Sequence, residues 1–156
     1  MEKSKEIKNF NVKIARIKEI FFQCNELDDK IINQLNEKLI SVGLGLRINP
    51  NSLTEELGIA LKINYVFHKD ALKVELCAYE VECFFQIIEF KQVVKIQKDR
   101  INIDDGLLAN LLSITIGTVR GMLSLKTSGT ALNKYPLPLL NAVEILKQLK
   151  PQPIKK

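Results

Sequence analysis

Residues Ile103–Asn141 read IDDGLLANLLSITIGTVRGMLSLKTSGTALNKYPLPLLN, and this stretch decides the fold. Asp104 and Asp105 place cap-type side chains and negative charge where a helix would begin. Leu107, Leu108, Leu111, Leu112, Thr115, Val119, Met122 and Leu123 then recur at helical spacing. Lys126 in the last turn and Gly129 just past it are stop signals. The helix is apolar around most of its circumference, more than one sheet face can cover. The expectation is therefore cover on both sides, the second from another subunit.

Between Gly106 and Leu125 the single charge is Arg120, and Gly117-x-x-x-Gly121 lies inside the span. Those are features of a transmembrane helix. Arg120, Asn110, Ser113, Thr115 and Thr118 within the span argue against it, and no other apolar run is as long. The reading is a buried oligomerisation helix without membrane insertion.

Working outward, 156 residues with 46% hydrophobic and 26% charged content suit one folded domain with a real core. That domain is expected over 10–150, with 1–9 and 151–156 as charged flexible ends. Much of the net charge of +5 sits toward the two termini, at Lys3, Lys5, Lys8, Lys147, Lys150, Lys155 and Lys156. Arg16, Arg47, Arg100 and Arg120 do not cluster, and no groove-reading motif accompanies them. Solvated lysines, rather than a nucleic-acid partner, are expected. The start, MEKSKEIKNF, has no apolar core or cleavage signature, so the expected location is cytoplasmic. Cys24, Cys77 and Cys83 lack metal-ligand spacing and read as reduced strand residues.

Phe10, Val12 and Ile14 alternate as in a strand, slip phase near Ala15–Ile17, and resume with Ile20 and Phe22; a bulge fits the slip. Ile31, Ile32, Leu35 and Leu39 suggest a short helix within 25–40. Val42, Leu44, Leu46 and Ile48 form a second strand ended by a turn at Asn49–Ser52. Leu57, Ile59, Leu61, Ile63, Tyr65 and Phe67 alternate most cleanly, with Ala60, Lys62 and Asn64 facing solvent. After the turn His68–Ala71, the fourth strand changes phase near Cys77 and Ala78, which predicts another bulge. From Ile88 to Ile103 the chain is apolar without a clean period and reads as a sticky linker. Pro136 and Pro138 fix a rigid crossing. Asn141 with Glu144 resembles a capping box for a last helix faced by Ala142, Ile145, Leu146 and Leu149 and ended at Pro151. The fold class is α+β: a four-stranded antiparallel sheet, a long helix on one face and a short C-terminal helix.

Catalytic signals are weak. His68 is the one histidine and falls in a turn, so no zinc set forms around it. No serine or cysteine sits in a nucleophile elbow, and Gly43 with Gly45 is not a phosphate loop. Glu80 and Glu82 alternate with Tyr79 and Val81, and so read as exposed strand charges rather than an acid–base pair. No catalytic residue, metal or cofactor is expected. What remains is an excess of apolar surface, which fits an oligomer interface or a peptide-binding groove equally well.

Over about residues 10–150 the chain resembles the SecB-type chaperones of protein export and their relatives that serve toxin–antitoxin modules. The local match is Thr118-Val119-Arg120-Gly121, Ser128-Gly129-Thr130 and Pro136-Leu137-Pro138-Leu139-Leu140-Asn141, with Ala15–Ile20 like the family's opening strand. The resemblance implies a homotetramer, a dimer of dimers with the long helices sandwiched between sheets. Leu111, Gly117, Arg120 and Gly121 would lie at that interface. It also implies a groove for unfolded chains lined by Phe90, Val93, Val94, Leu137, Leu139, Ile145, Leu146 and Leu149, working without ATP.

Export-type members dock the translocation motor SecA through carboxylates on the sheet; here Glu19 and Glu80 fall at such positions. Gln23 replaces an acid, and Lys13, Lys18, Lys62 and Lys73 weaken electrostatic steering toward SecA. The resemblance therefore implies a holdase that keeps unfolded preproteins export-competent for the Sec pathway, or alternatively a dedicated chaperone of an antitoxin. A basic nucleic-acid-binding or purely structural oligomer is the third reading.

Overall fold

The computed structural model describes residues 11–98 and 100–149. Phe10, the lead-in 1–9 and the segment from 150 onward, with Pro151 as helix terminator, lie outside the described residues. Strands β1 (Val12–Cys24), β2 (Ile40–Asn51), β3 (Glu56–Lys69) and β4 (Leu72–Ile87) form one antiparallel sheet in the order β1-β4-β3-β2. A single-turn helix α1 (Asp29–Ile32) and a 3-10 turn, Glu37–Leu39, join β1 to β2. Helix α2 (Phe90–Val93) and a hairpin of β5 (Lys95–Gln97) and β6 (Arg100–Asn102) lead into α3 (Asp105–Lys126). A second 3-10 turn, Ala131–Lys134, and the proline connection precede α4 (Ala142–Leu149). The α+β architecture expected from the sequence is present.

The sheet's core face is built by alternation. Leu57, Ile59, Leu61, Ile63, Tyr65 and Phe67 of β3, with Cys77, Tyr79, Val81, Cys83, Phe85 and Ile87 of β4, point to one side and are buried. Helix α3 covers them with Leu107, Leu108, Leu111, Leu112, Thr115, Ile116, Val119 and Leu123. Each fully buried aliphatic side chain contributes about 1.5–3 kcal/mol, so this interface dominates the stability. The cap forms as read: Asp104 Oδ1 accepts from the Leu107 amide at 2.9 Å. Gly129, at φ 79°, supplies the left-handed residue after the helix end.

Two bulges fall where the apolar phase slips, and the one after Glu19 was not expected. Pairing of β1 with β4 slips between Ile14 and Arg16 and again between Glu19 and Phe21. The β3–β4 pairing slips where Tyr65 faces Cys77 but Val66 faces Glu75, so the extra residue is Leu76. Leu76 and Cys77 are consequently both buried.

Three expectations are corrected. The turn after β2 begins at Ser52, because Pro50 sits on an edge strand where its missing N–H costs no ladder bond. The 88–103 linker is a helical turn plus a hairpin whose Ile96 and Ile101 pair across it. Glu82 is buried rather than solvated: Asn49 Nδ2 donates to it at 2.7 Å. Its carboxylate occupies the space above Gly58, where any Cβ would collide with Oε1.

Candidate functional site

A large apolar recess with convergent polar groups lies between the edge strand β2 and the connection that follows α3. It has a volume of about 570 Å³. Ile40 and Val42 form one wall; Pro136, Leu137, Pro138 and Leu139 form the other, with Tyr65 and Arg120 between them and Glu37 and Tyr135 at the ends. Tyr65 reaches the cleft because it pairs with Val42 and shares the core face of the sheet.

Hydrogen bonds tie the connection down at both ends. Prolines at 136 and 138 disfavour helix at Tyr135 and Leu137 and leave the carbonyls of this segment without a helix or sheet to bond them. Arg120 supplies donors from the helix: Nε donates to the Leu137 carbonyl at 3.1 Å and Nη2 to the Pro138 carbonyl at 2.9 Å. The planar fork suits two successive carbonyls. Tyr135 fixes the other end, its hydroxyl donating to the Leu35 carbonyl at 2.8 Å. Leu137 is thereby turned into the core, and Leu139 is left 93% exposed at the lip.

Tyr65 is the anomaly. Its side chain is 3% exposed, yet its hydroxyl has no hydrogen-bond partner, and it is the one such buried side-chain atom among the described residues. Burial, then the nearby Cys77, push its pKa up to about 12 against the opposing pull of Arg120. The hydroxyl therefore keeps its proton throughout the physiological range and remains a competent donor. A buried hydroxyl without a partner costs the folded chain roughly 1–3 kcal/mol. Apolar walls, the Tyr65 ring in the lining and an unpaired strand edge beside it suit an extended segment with a large apolar side chain.

No protein-family model matches the chain, and no curated protein matches it. Among solved structures it is similar to a SecB-like chaperone of Mycobacterium tuberculosis in complex with a ChAD peptide from the HigA1 antitoxin. That likeness covers 83% of this chain and 89% of the other, at 13% identity and a TM-score of 0.46. It is also similar to a protein of unknown function from Streptococcus agalactiae, over 85% of this chain and 98% of that one, at 13% identity and a TM-score of 0.29. Both likenesses are loose in backbone and in sequence.

The residues expected to line a groove are divided by the structure. Leu137 and Leu139 line the large cleft, and Val93 lines a separate, more polar recess of about 350 Å³ with Glu89, Gln92 and Lys95. Phe90, Val94 and Leu146 are buried in the core, Ile145 packs partly against it, and Leu149 is 55% exposed on α4. Ile40, Val42 and Tyr65 were not among the expected lining. Their one legible trace is the hydroxyl of Tyr65 in an otherwise wholly apolar inward-facing run.

The expected interface residues also separate. Leu111 is buried under the sheet of its own chain, and Arg120 bonds the connection. Gly117 and Gly121 lie on the outer face of α3, where an added Cβ would meet nothing within 4 Å. They share that face with Ile114 and with Leu125, which is 79% exposed. Glu19 and Glu80 are on opposite faces of the sheet. Glu19 opposes Val81 on the helix side, where it accepts from Tyr79 Oη and Lys126 Nζ, both at 2.9 Å. Those two hydrogen bonds, Lys126 first, hold its carboxyl below the usual carboxylate range. Glu80 pairs with Arg47 on the open face. A single acidic docking patch containing both is therefore not formed; the bulge after Glu19 accounts for the displacement.

Among the described residues no group of three or more His, Cys, Asp or Glu side chains is placed to hold a metal ion. His68 is exposed, with Nε2 2.9 Å from Ser41 Oγ.

Proposed function

We propose that this chain is an ATP-independent holdase that takes an extended apolar segment of a non-native polypeptide into the cleft between β2 and the proline connection. The observation that carries the reading is the apolar cleft itself, lined by Tyr65, whose buried hydroxyl has no partner in the folded chain. A client side chain fills the space between Val42 and Leu139, and the Tyr65 ring turns toward the cleft so that its O–H donates to a client carbonyl. No bond is made or broken in the client, and affinity comes from apolar burial and backbone hydrogen bonds.

The exposed outer face of α3, with Ile114, Gly117, Gly121 and Leu125, suits a helix from a second copy, because glycines permit close approach. The proposed assembly is a homotetramer in the cytoplasm. The proposed client is an unfolded preprotein destined for export, with an antitoxin as the alternative and SecA as a further partner in the first case only.

The test is binding of a reduced, unfolded substrate protein to wild type and to Leu139→Asp, which alters an exposed lip residue and leaves the core intact. Affinity should fall at least tenfold, and wild-type binding should persist in high salt. Equal affinity of the two proteins, or loss of binding with salt, overturns the reading; the second outcome favours a polyanion ligand. Pull-downs against SecA and against an antitoxin separate the two clients.

A further inference from the structure

Cys24 and Cys77 are directly opposed across β1 and β4. The Asn25 amide donates to the Leu76 carbonyl at 3.0 Å, a bond between the residue after Cys24 and the residue before Cys77. In an antiparallel ladder that pattern marks Cys24 and Cys77 as a non-hydrogen-bonded pair. The Cα atoms of such a pair lie roughly 4.5 Å apart and their side chains approach most closely. That spacing falls inside the roughly 4.4–6.8 Å that a disulfide spans.

Directly opposed residues share a sheet face, and here it is the core face. The bulge at Leu76 is what turns Cys77 inward toward it. The Cys24 thiol sits close enough to perturb the titration of Cys77. Asn25 also donates from its side chain to the Glu75 carbonyl at 2.7 Å, so the end of β1 is pinned in register beside the pair. Cys83 has no such neighbour: it is buried and faces Ile17 and Ile59.

We infer that Cys24 and Cys77 are a redox modification site that takes a two-electron oxidant of the peroxide class and closes into a cross-strand disulfide within the folded chain. Cys24 is partly exposed and Cys77 is 1% exposed, so the oxidant meets Cys24 first. The Cys24 sulfur attacks one peroxide oxygen, the O–O bond breaks, and the departing oxygen leaves as water or alcohol with the thiol proton. The resulting sulfenic acid faces Cys77. Attack by the Cys77 sulfur forms the S–S bond and breaks the S–O bond, and the hydroxyl departs as water with the Cys77 proton. Two thiols are oxidised and one peroxide is reduced. Burial pushes the Cys77 thiol up to about 12, which slows this second step without barring it. The product ties the edge strand to the sheet at the end next to Tyr65, since Cys77 is also the register partner of Tyr65.

The test uses hydrogen peroxide on the full-length folded protein, followed by thiol counting after denaturation, intact mass and non-reducing peptide mapping. Two of the three thiols should be lost, with a mass lower by two hydrogen atoms and one cross-linked peptide pair containing Cys24 and Cys77. The thermal midpoint should rise by roughly 5–10 °C and return on reduction. Cys24→Ser should abolish all of this, while Cys83→Ala should retain it. Three free thiols after treatment, an oxygen adduct on Cys24 with no cross-link, or a bond between chains instead of within one would each overturn the inference.

Discussion

Replacing Tyr65 by phenylalanine removes one buried oxygen beside the cleft and leaves the ring that fills the core. In the folded chain that oxygen is buried and has no partner. Desolvating a hydroxyl without a compensating bond costs roughly 1–3 kcal/mol, so Tyr65→Phe should stabilise the free protein by about 1 kcal/mol. For a chain of this size that is roughly a 3 °C rise in thermal midpoint. The same substitution removes the donor proposed for a client carbonyl. Loss of that bond is worth about 1 kcal/mol, or roughly a fivefold weaker Kd. The two effects have opposite sense, which a general packing defect cannot imitate. The assays are thermal denaturation of the free protein and titration with a fluorescent unfolded polypeptide. A void of about 10 Å³ beside Tyr65, lined also by Ser124, Thr127 and Asn133, is at the lower limit for one water. If the variant is less stable than wild type, the hydroxyl is already satisfied and the reasoning fails. Unchanged client affinity would refute the proposed donor role.

Other substitutions and conditions follow from the same geometry. Arg120→Lys should cost about 2 kcal/mol by chemical denaturation, because a lysine cannot bond the Leu137 and Pro138 carbonyls together. Gly58→Ala should cost about 2 kcal/mol by the same measurement, since its methyl displaces the buried Glu82 carboxylate from Asn49. Stability should also decline in alkali. Burial raises Tyr65 and Cys77 to about 12, and raises Tyr79 and Cys83 as well. The folded state therefore holds protons that the unfolded state releases. Their contribution is intact below about pH 8.5–10, where the unfolded groups are still protonated, and is lost as pH rises toward 12. Denaturant midpoints measured from pH 8 to 11 should fall, and a flat profile would contradict the burial of these groups.

The sheet and the long helix were legible because their signals are local and redundant. Asp104, Lys126 and Gly129 each mark a boundary of α3, and a phase slip of one residue at Ala15 or Leu76 moves a whole apolar set to the other face. The 88–103 segment was opaque because strands of three residues are too short to show a period. The groove was read poorly for a different reason. Phe90, Val94 and Leu146 are apolar whether they line a groove or fill a core, and only the folded chain shows that they fill it. Glu19 was misplaced by a bulge at the next residue, Ile20, that its own sequence context does not announce. Tyr65 was visible as a strand residue, but the absence of a partner for its hydroxyl depends on groups distant in sequence.

Methyl resonances of the cleft test the central claim most directly. With Ile, Val and Leu methyl groups labelled, an unfolded polypeptide should be titrated into the protein and the shifts followed residue by residue. Perturbations should concentrate on Ile40, Val42, Leu137 and Leu139, on the two walls of the cleft. Shifts confined to the hairpin at Ile96 and Ile101 or to α4, with those four methyl groups unmoved, would contradict the account.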